Sequence, residues 1–195
     1  MFHIVEGDLN DPRVTELLHV HLLTARAGTA PGSAHALDLD GLRTPDITLW
    51  TIWDGDALAG VGALKRLSAN HGEVKSMHTA EAMRGRGAGR AMLRHIVASA
   101  RAAGMSRLSL ETGAWDFFRP AHALYRSHGF VDCPPFGDYR PDPNSLFLTL
   151  VLLDGKQQTG DRQTLEEFWA RLEQREETKL TVSPAEIIRA ERDSR

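Results

Sequence analysis

Residues 83–90 read Met-Arg-Gly-Arg-Gly-Ala-Gly-Arg, with Gly85, Gly87 and Gly89 alternating with Arg84, Arg86, Ala88 and Arg90. Glycine tolerates positive φ and has no Cβ, so such a loop can turn sharply and bring its backbone close to a ligand. Just beyond it, Met92, Leu93, Ile96, Val97 and Ala100 recur at helical spacing. A glycine loop that opens a helix aims backbone N–H groups and the positive end of the helix dipole at one point, where an anion is favoured. From residue 82 to residue 110 there are six arginines and no acidic residue, in a chain whose formal net charge is -3. Arg90, Arg94 and Arg101 lie as a stripe beside the apolar face of this helix. A locally cationic helix of this kind predicts a phosphate or pyrophosphate ligand.

Two common phosphate loops are excluded by what is missing. A Walker A loop needs Gly-Lys followed by Ser or Thr, and the chain has no such triplet. A dinucleotide fingerprint needs a third glycine three residues after the second. Counted from Gly85 that position is Arg90, and counted from Gly87 it is Met92.

The elements that must position this loop alternate along residues 1–153. FHIV reads as a short strand, and residues 11–24 as a helix after Asn10-Asp11-Pro12. Residues 47–53 and 57–67 are rich in β-formers and are joined by Asp54-Gly55, a hairpin signal that disagrees with a Rossmann repeat. A turn over Ala69–Gly72 leads into a strand at residues 73–79, followed by the long helix over about 87–103. Residues 107–112 are the next strand, and residues 120–128 a short helix stopped by Gly129. FVDC and SLFLTLVLL supply two final strands. This order predicts an α/β (α+β mixed) class with a mixed sheet flanked by helices.

Composition bounds the rest. Among 195 residues, 42% are hydrophobic and 25% charged, which is a globular balance for one domain and a modest surplus. Cys133 is the single cysteine, so intrachain disulfides and cysteine-based zinc sites are excluded. His19 and His21, two apart on a helix, do not suggest a metal pair, and no metal is expected. The start lacks the pattern of a secretory signal and no run is long enough to span a bilayer, so a soluble cytoplasmic protein is expected. The surplus lies after residue 153, where 18 of 42 residues are charged and only two are glycine. There a polar linker precedes two amphipathic helices, one opened by a Thr164/Glu167 capping box and one by Ser183-Pro184-Ala185-Glu186. The expected division is a domain over 1–153 and a charged helical extension over 154–195. That extension could pack on the body, or dock a partner protein or a second copy of the chain in a homodimer.

The segment Arg84-x-x-Gly87-x-Gly89, with Ala123-Leu124-Tyr125-Arg126-Ser127-His128-Gly129-Phe130 downstream and this strand order, resembles the GNAT family of N-acetyltransferases over most of residues 1–153. The resemblance implies a splayed mixed sheet, with acetyl-CoA bound in the gap between the strands EVKSMHT and RLSLET. It implies that residues 84–90 (Arg84, Gly85, Arg86, Gly87, Ala88, Gly89 and Arg90) hold the pyrophosphate. Backbone groups of Met77, His78 and Thr79 would hold the pantetheine arm and polarise the thioester carbonyl.

Acetyl transfer to an amine needs a neutral amine, a polarised carbonyl and a proton for the leaving thiolate. Tyr125 matches the tyrosine that the family places near the CoA sulfur. Its phenol, with an ordinary pKa near 10, can donate a proton while remaining protonated at neutral pH. Glu73, at the start of one strand, and Glu111, at the end of the next, are the candidate bases, with Glu73 preferred. His78 and His122 are weaker candidates, and a water relay could replace a dedicated base. Trp115, Asp116, Phe117 and Phe118 lie beside the expected acceptor site, and the resemblance implies a substrate-covering segment at the loop over residues 28–33, followed by His35. The expected activity is acetyl-CoA-dependent N-acetylation of a small-molecule or peptide amine. The alternatives are an acetyltransferase acting on aminoacyl-RNA, although no basic and aromatic surface argues for nucleic acid, or a non-catalytic CoA-binding module that docks partners through its tail.

Overall fold

The computed structural model describes residues 1–27 and 35–152. The loop over 28–33, and the linker, capping boxes and helices expected after residue 153, lie outside the described residues. Seven strands among the described residues form one sheet: β1 (Phe2–Glu6), β2 (Ile47–Asp54), β3 (Ala57–Arg66), β4 (His71–Thr79), β5 (Arg107–Gly113), β6 (Val131–Asp132) and β7 (Ser145–Val151). Their order across the sheet is β1-β2-β3-β4-β5-β7-β6. The β4–β5 pair is parallel and every other pair antiparallel, which makes the sheet mixed as expected.

Among the described residues, three α-helices flank it: α1 (Pro12–Ala27), α2 (Ala88–Ala102) and α3 (Arg119–Arg126). α2 follows the periodicity of its sequence, burying Met92, Leu93, Ile96, Val97 and Ala100 while Arg90, Arg94 and Arg101 face solvent. That apolar face packs with Ile52, Leu64, Val74, Leu108, Leu110 and Leu148 in the larger core. A second core, on α1, gathers Val14, Leu18, Leu49, Trp53 and Val61.

Most boundaries shift by a few residues from the sequence reading, and the shift at the start of β4 has a packing cause. Gly72, read as part of a turn, lies within β4, paired with Arg66 on one side and Leu108 on the other. A Cβ there would stand 2.7 Å from Met105 Sδ and 2.8 Å from Leu64, so a larger residue would have to displace core side chains.

Two departures from regular pairing shape the centre of the sheet. β4 and β5 pair only at His71–Arg107, Gly72–Leu108 and Glu73–Ser109, and then part. On the other side of β4, Val61 pairs with His78 but Ala63 with Lys75, so Ser76 and Met77 of β4 together oppose Gly62 of β3. This is a β-bulge. Its cause is visible in the packing: Val74 and Met77, three apart, both pack with the α2 core, which a regular two-residue alternation forbids. The extra residue, Ser76, takes φ 49° and is the one non-glycine residue with positive φ among those described.

Leu93 is fully buried in the core that carries α2. Leu93→Ala is expected to cost about 2–5 kcal/mol of stability, read from the midpoint of urea unfolding at unchanged slope.

Candidate active site

The parting of β4 and β5 opens a cavity of about 820 Å³, lined by Val74–Thr79 of β4, Glu111–Gly113 of β5, residues 83–90 and the α3 residues Leu124 and Tyr125. With His21, Thr24 and Ala25 of α1 and the start of α2, five elements meet at one cleft, and the residues that line it run from His21 to Tyr125.

At one end stands the glycine loop. Gly85 has φ 73° and Gly87 has φ 91°, both left-handed, and a Cβ at either would meet nothing within 4 Å. The loop is thus open on that side, as a backbone cradle for a ligand must be. Gly87 is the residue before α2 and accepts the first helical bond from Ala91 N–H at 3.0 Å. The N–H groups of the first turn have no helical acceptor and face the same end of the cleft. Arg84, Arg86 and Arg90 line it as well. Arg86 is also engaged elsewhere: its Nη2 donates to Asp54 Oδ2 at 2.6 Å, and the chain's terminal ammonium lies 3.3 Å from the other oxygen of that carboxylate. Exposed pairs of this kind are weak and exchange readily. Arg94 and Arg101 do not line the cavity.

Backbone positions Met77, His78 and Thr79, expected to hold a ligand arm, line the cleft just after the bulge. The His78 ring lies 5.3 Å from that of His21 on α1. Burial, and then the charge of Arg84, hold His78 below the usual histidine range. His21 is pushed down to about 4 by burial, then by His78 and Lys75, so at neutral pH these two rings carry no charge.

The candidate proton-transfer groups divide. Tyr125 is 7% exposed, packs its ring 5.8 Å from Phe130 and lines the cavity. Burial, reinforced by the negative charge of Glu111, raises its phenol above the ordinary value, so it stays protonated. Glu111 also lines the cavity and accepts a hydrogen bond from Ser145 Oγ at 2.7 Å. Burial pushes its carboxyl above the usual carboxylate range, against the Ser145 bond that pulls it down.

Glu73, preferred as base from sequence, is outside the cavity lining and only 3% exposed. Its Oε1 accepts a bond from Tyr139 Oη at 2.6 Å and lies 3.3 Å from Lys75 Nζ. Lys75 Nζ in turn donates to Tyr139 Oη at 2.8 Å and to the His35 carbonyl at 3.0 Å. Nothing in the local sequence announces Tyr139, which lies 66 residues from its carboxylate partner. His122 also points away: its Nε2 bonds the Gly113 carbonyl at 2.8 Å, tying α3 to the end of β5. Phe117 and Phe118 line the cleft, with Phe118 packed so closely on Gly113 that a Cβ there would collide with its ring. Trp115 and Phe117 are largely exposed, 46% and 57%.

The Acetyltransferase (GNAT) family profile matches residues 16–130, which spans the loop, the splayed strands and the tyrosine helix. The chain belongs to this family. It is 46% identical over 157 residues to YedL of Escherichia coli K12, named an uncharacterized N-acetyltransferase, covering 80% of this chain and 99% of that one. It is 48% identical over 150 residues to the N-acetyltransferase YsnE of Bacillus subtilis, also named as uncharacterized, covering 77% of this chain and 99% of that one. A crystal structure of a GNAT acetyltransferase from Elizabethkingia anophelis with acetyl-CoA bound shares the fold, with TM-score 0.57, 16% identity, and coverage of 77% of this chain and 98% of that one. Among the described residues, no helix is long and apolar enough to cross a membrane, and no cluster of three or more metal-ligating side chains is present.

Gly87→Val puts a branched side chain at φ 91° on the open face of the loop. Acetyl-CoA affinity, measured by calorimetry, is expected to fall at least ~10-fold through loss of backbone approach.

Proposed function

We propose that this GNAT acetyltransferase transfers the acetyl group of acetyl-CoA to a primary amine of a small molecule or peptide by direct attack in a ternary complex. The observation that carries the reading is the cleft itself. A glycine loop at the start of a helix, a bulged strand edge, a protonated tyrosine and a cavity-facing carboxylate converge between two strands that part for them. The residues present fit acetyl-CoA. The N–H groups of residues 85–90 with Arg84, Arg86 and Arg90 would hold the pyrophosphate, and the backbone of Met77–Thr79 the pantetheine arm.

Acetyl-CoA supplies the acetyl group activated as a thioester, and the chain supplies the proton transfers and the alignment. Glu111 takes a proton from the acceptor ammonium, directly or through a water, leaving a lone pair for attack. As the C–N bond forms and the C–S bond breaks, the electron pair departs on sulfur and Tyr125 O–H protonates it. The second proton of the new amide nitrogen leaves to solvent, and Tyr125 is reprotonated from the same pool, so the products are an amide and the free thiol. Glu111 replaces Glu73 as the favoured base in this reading because its carboxylate faces the cavity, whereas that of Glu73 is committed to Lys75 and Tyr139. We place the enzyme in the cytoplasm.

Free-thiol release from acetyl-CoA across a panel of primary amines tests the activity. Tyr125→Phe is expected to lower kcat on the order of 10²-fold while leaving acetyl-CoA affinity unchanged; an undiminished rate removes Tyr125 from the acid role. Inactivity on every amine, with acetyl-CoA still raising the melting temperature, would instead favour the docking module. Arrested growth on expression, relieved by Tyr125→Phe, would favour an aminoacyl-RNA acceptor.

The pH profile follows from Glu111. Its carboxylate, not its acid form, accepts the proton, so kcat/KM rises with pH through its pKa and falls about tenfold per unit below it. Because burial raises that pKa, this limb is expected above the ordinary carboxylate range. Glu111→Gln should lower the rate and erase the limb; a limb that persists in the variant belongs to another group.

A further inference from the structure

We propose that Ser76 is a catalytic residue whose hydroxyl donates a hydrogen bond to the carbonyl oxygen of the acetyl thioester, beside the backbone N–H groups that follow the bulge. The inference rests on the acetyl-CoA reading above and adds a side chain to a site otherwise assigned to backbone.

Three observations lead to it. First, Ser76 pays conformationally for having a side chain. Among the described residues the left-handed backbone positions are Gly55, Gly85, Gly87, Gly104, Gly129 and Gly137, and Ser76 alone is not glycine. Glycine would adopt φ 49° without steric penalty, so the fold tolerates strain there to keep a Cβ and its hydroxyl. Second, Ser76 Oγ is buried and has no hydrogen-bond partner. The residue is 7% exposed, and a hydroxyl removed from water without a partner is destabilising unless a ligand completes it. Third, the residue borders the cavity at the point where β4 bulges away from regular pairing, so one rotation about Cα–Cβ is what would turn its buried hydroxyl toward a ligand there.

Its neighbours leave the hydroxyl free for this task. Glu73 and Lys75 satisfy one another and Tyr139, so neither competes for it. Rotation about the single Cα–Cβ bond selects among three staggered positions for Oγ without moving the strand. The donor is useful when the amine attacks: negative charge gathers on the carbonyl oxygen as the C–N bond forms, and is released when the C–S bond breaks. A hydrogen bond that strengthens during that interval raises kcat rather than substrate affinity.

The test compares Ser76→Ala, which keeps the Cβ, with Ser76→Gly, which also relieves the strain. Two readouts are used: steady-state kinetics with the best amine of the panel, and the infrared carbonyl band of bound acetyl-CoA carrying ¹³C at the acetyl carbonyl. Wild type should shift the band below its position in free acetyl-CoA. Both variants should return it part of the way, lower kcat on the order of 10²-fold and leave both KM values within about twofold. Ser76→Gly should do so while melting at or above the wild-type temperature, which a loss through misfolding could not produce. A wild-type kcat or an unmoved band in the variants overturns the proposal and leaves the acetyl-CoA reading standing. A raised amine KM at unchanged kcat overturns it too, since it would make Ser76 an acceptor for the amine. No bound band in wild type overturns both readings.

Discussion

β4 and β5 hold each other for three residues and then separate, and the rest of the site follows from that separation. Parallel strands that stayed paired would bury their edges in each other and leave no space between them. Here the edges of Val74–Thr79 and Leu110–Gly113 diverge, and the unpaired backbone of β4 becomes available to a ligand. The bulge at Ser76 assists from the opposite edge. By inserting one residue against β3 it keeps Val74 and Met77 on the same core, so that α2 can pack beneath the strand while β4 twists away from β5. α2 thereby arrives with its first turn at the mouth of the gap it helps to create.

Directly below the cleft lies an ion pair that would be costly if it stood alone. Lys75 and Glu73 are 9% and 3% exposed, and taking both charges from water is repaid only where further hydrogen bonds satisfy them. Tyr139 and the His35 carbonyl supply those bonds. The network ties β4 to the segment before β2 and to the loop before β7, three regions with no common strand pairing. It also decides which carboxylate can work in the cavity. Glu73 is fixed as an acceptor within the wall, while Glu111, bonded by the Ser145 hydroxyl and raised by burial, lines the cavity.

Charge is distributed unevenly along the cleft, and the unevenness suits a ligand with an anionic end and a neutral reacting end. Arg84, Arg86 and Arg90 gather at the loop, whereas His21 and His78, which also line the cavity, are kept neutral by burial. The Asp54–Arg86 pair holds one of these guanidiniums at the turn between β2 and β3, in an exposed contact too weak to compete with a multiply charged phosphate.

Much of this was legible in the chain because it is written in local rules. Asp54-Gly55 makes the hairpin, helical spacing from Met92 to Ala100 makes α2, and Gly85 and Gly87 open a loop, each through interactions between near neighbours. The family pattern then ordered these pieces correctly, including the parting of the two central strands. One trace of the bulge was also present, since Val74 and Met77 are apolar at a spacing of three inside a strand. What sequence alone could not decide was which of two carboxylates faces the cleft. Glu73 and Glu111 look alike as strand residues, and their difference is made by Tyr139, 66 positions from Glu73. Ser76 was likewise unremarked, because neither its φ nor its missing partner has a sequence signature. Local backbone preference and periodicity fix elements, but burial and hydrogen-bond pairing depend on groups far apart in the chain, and those only the tertiary structure brings together.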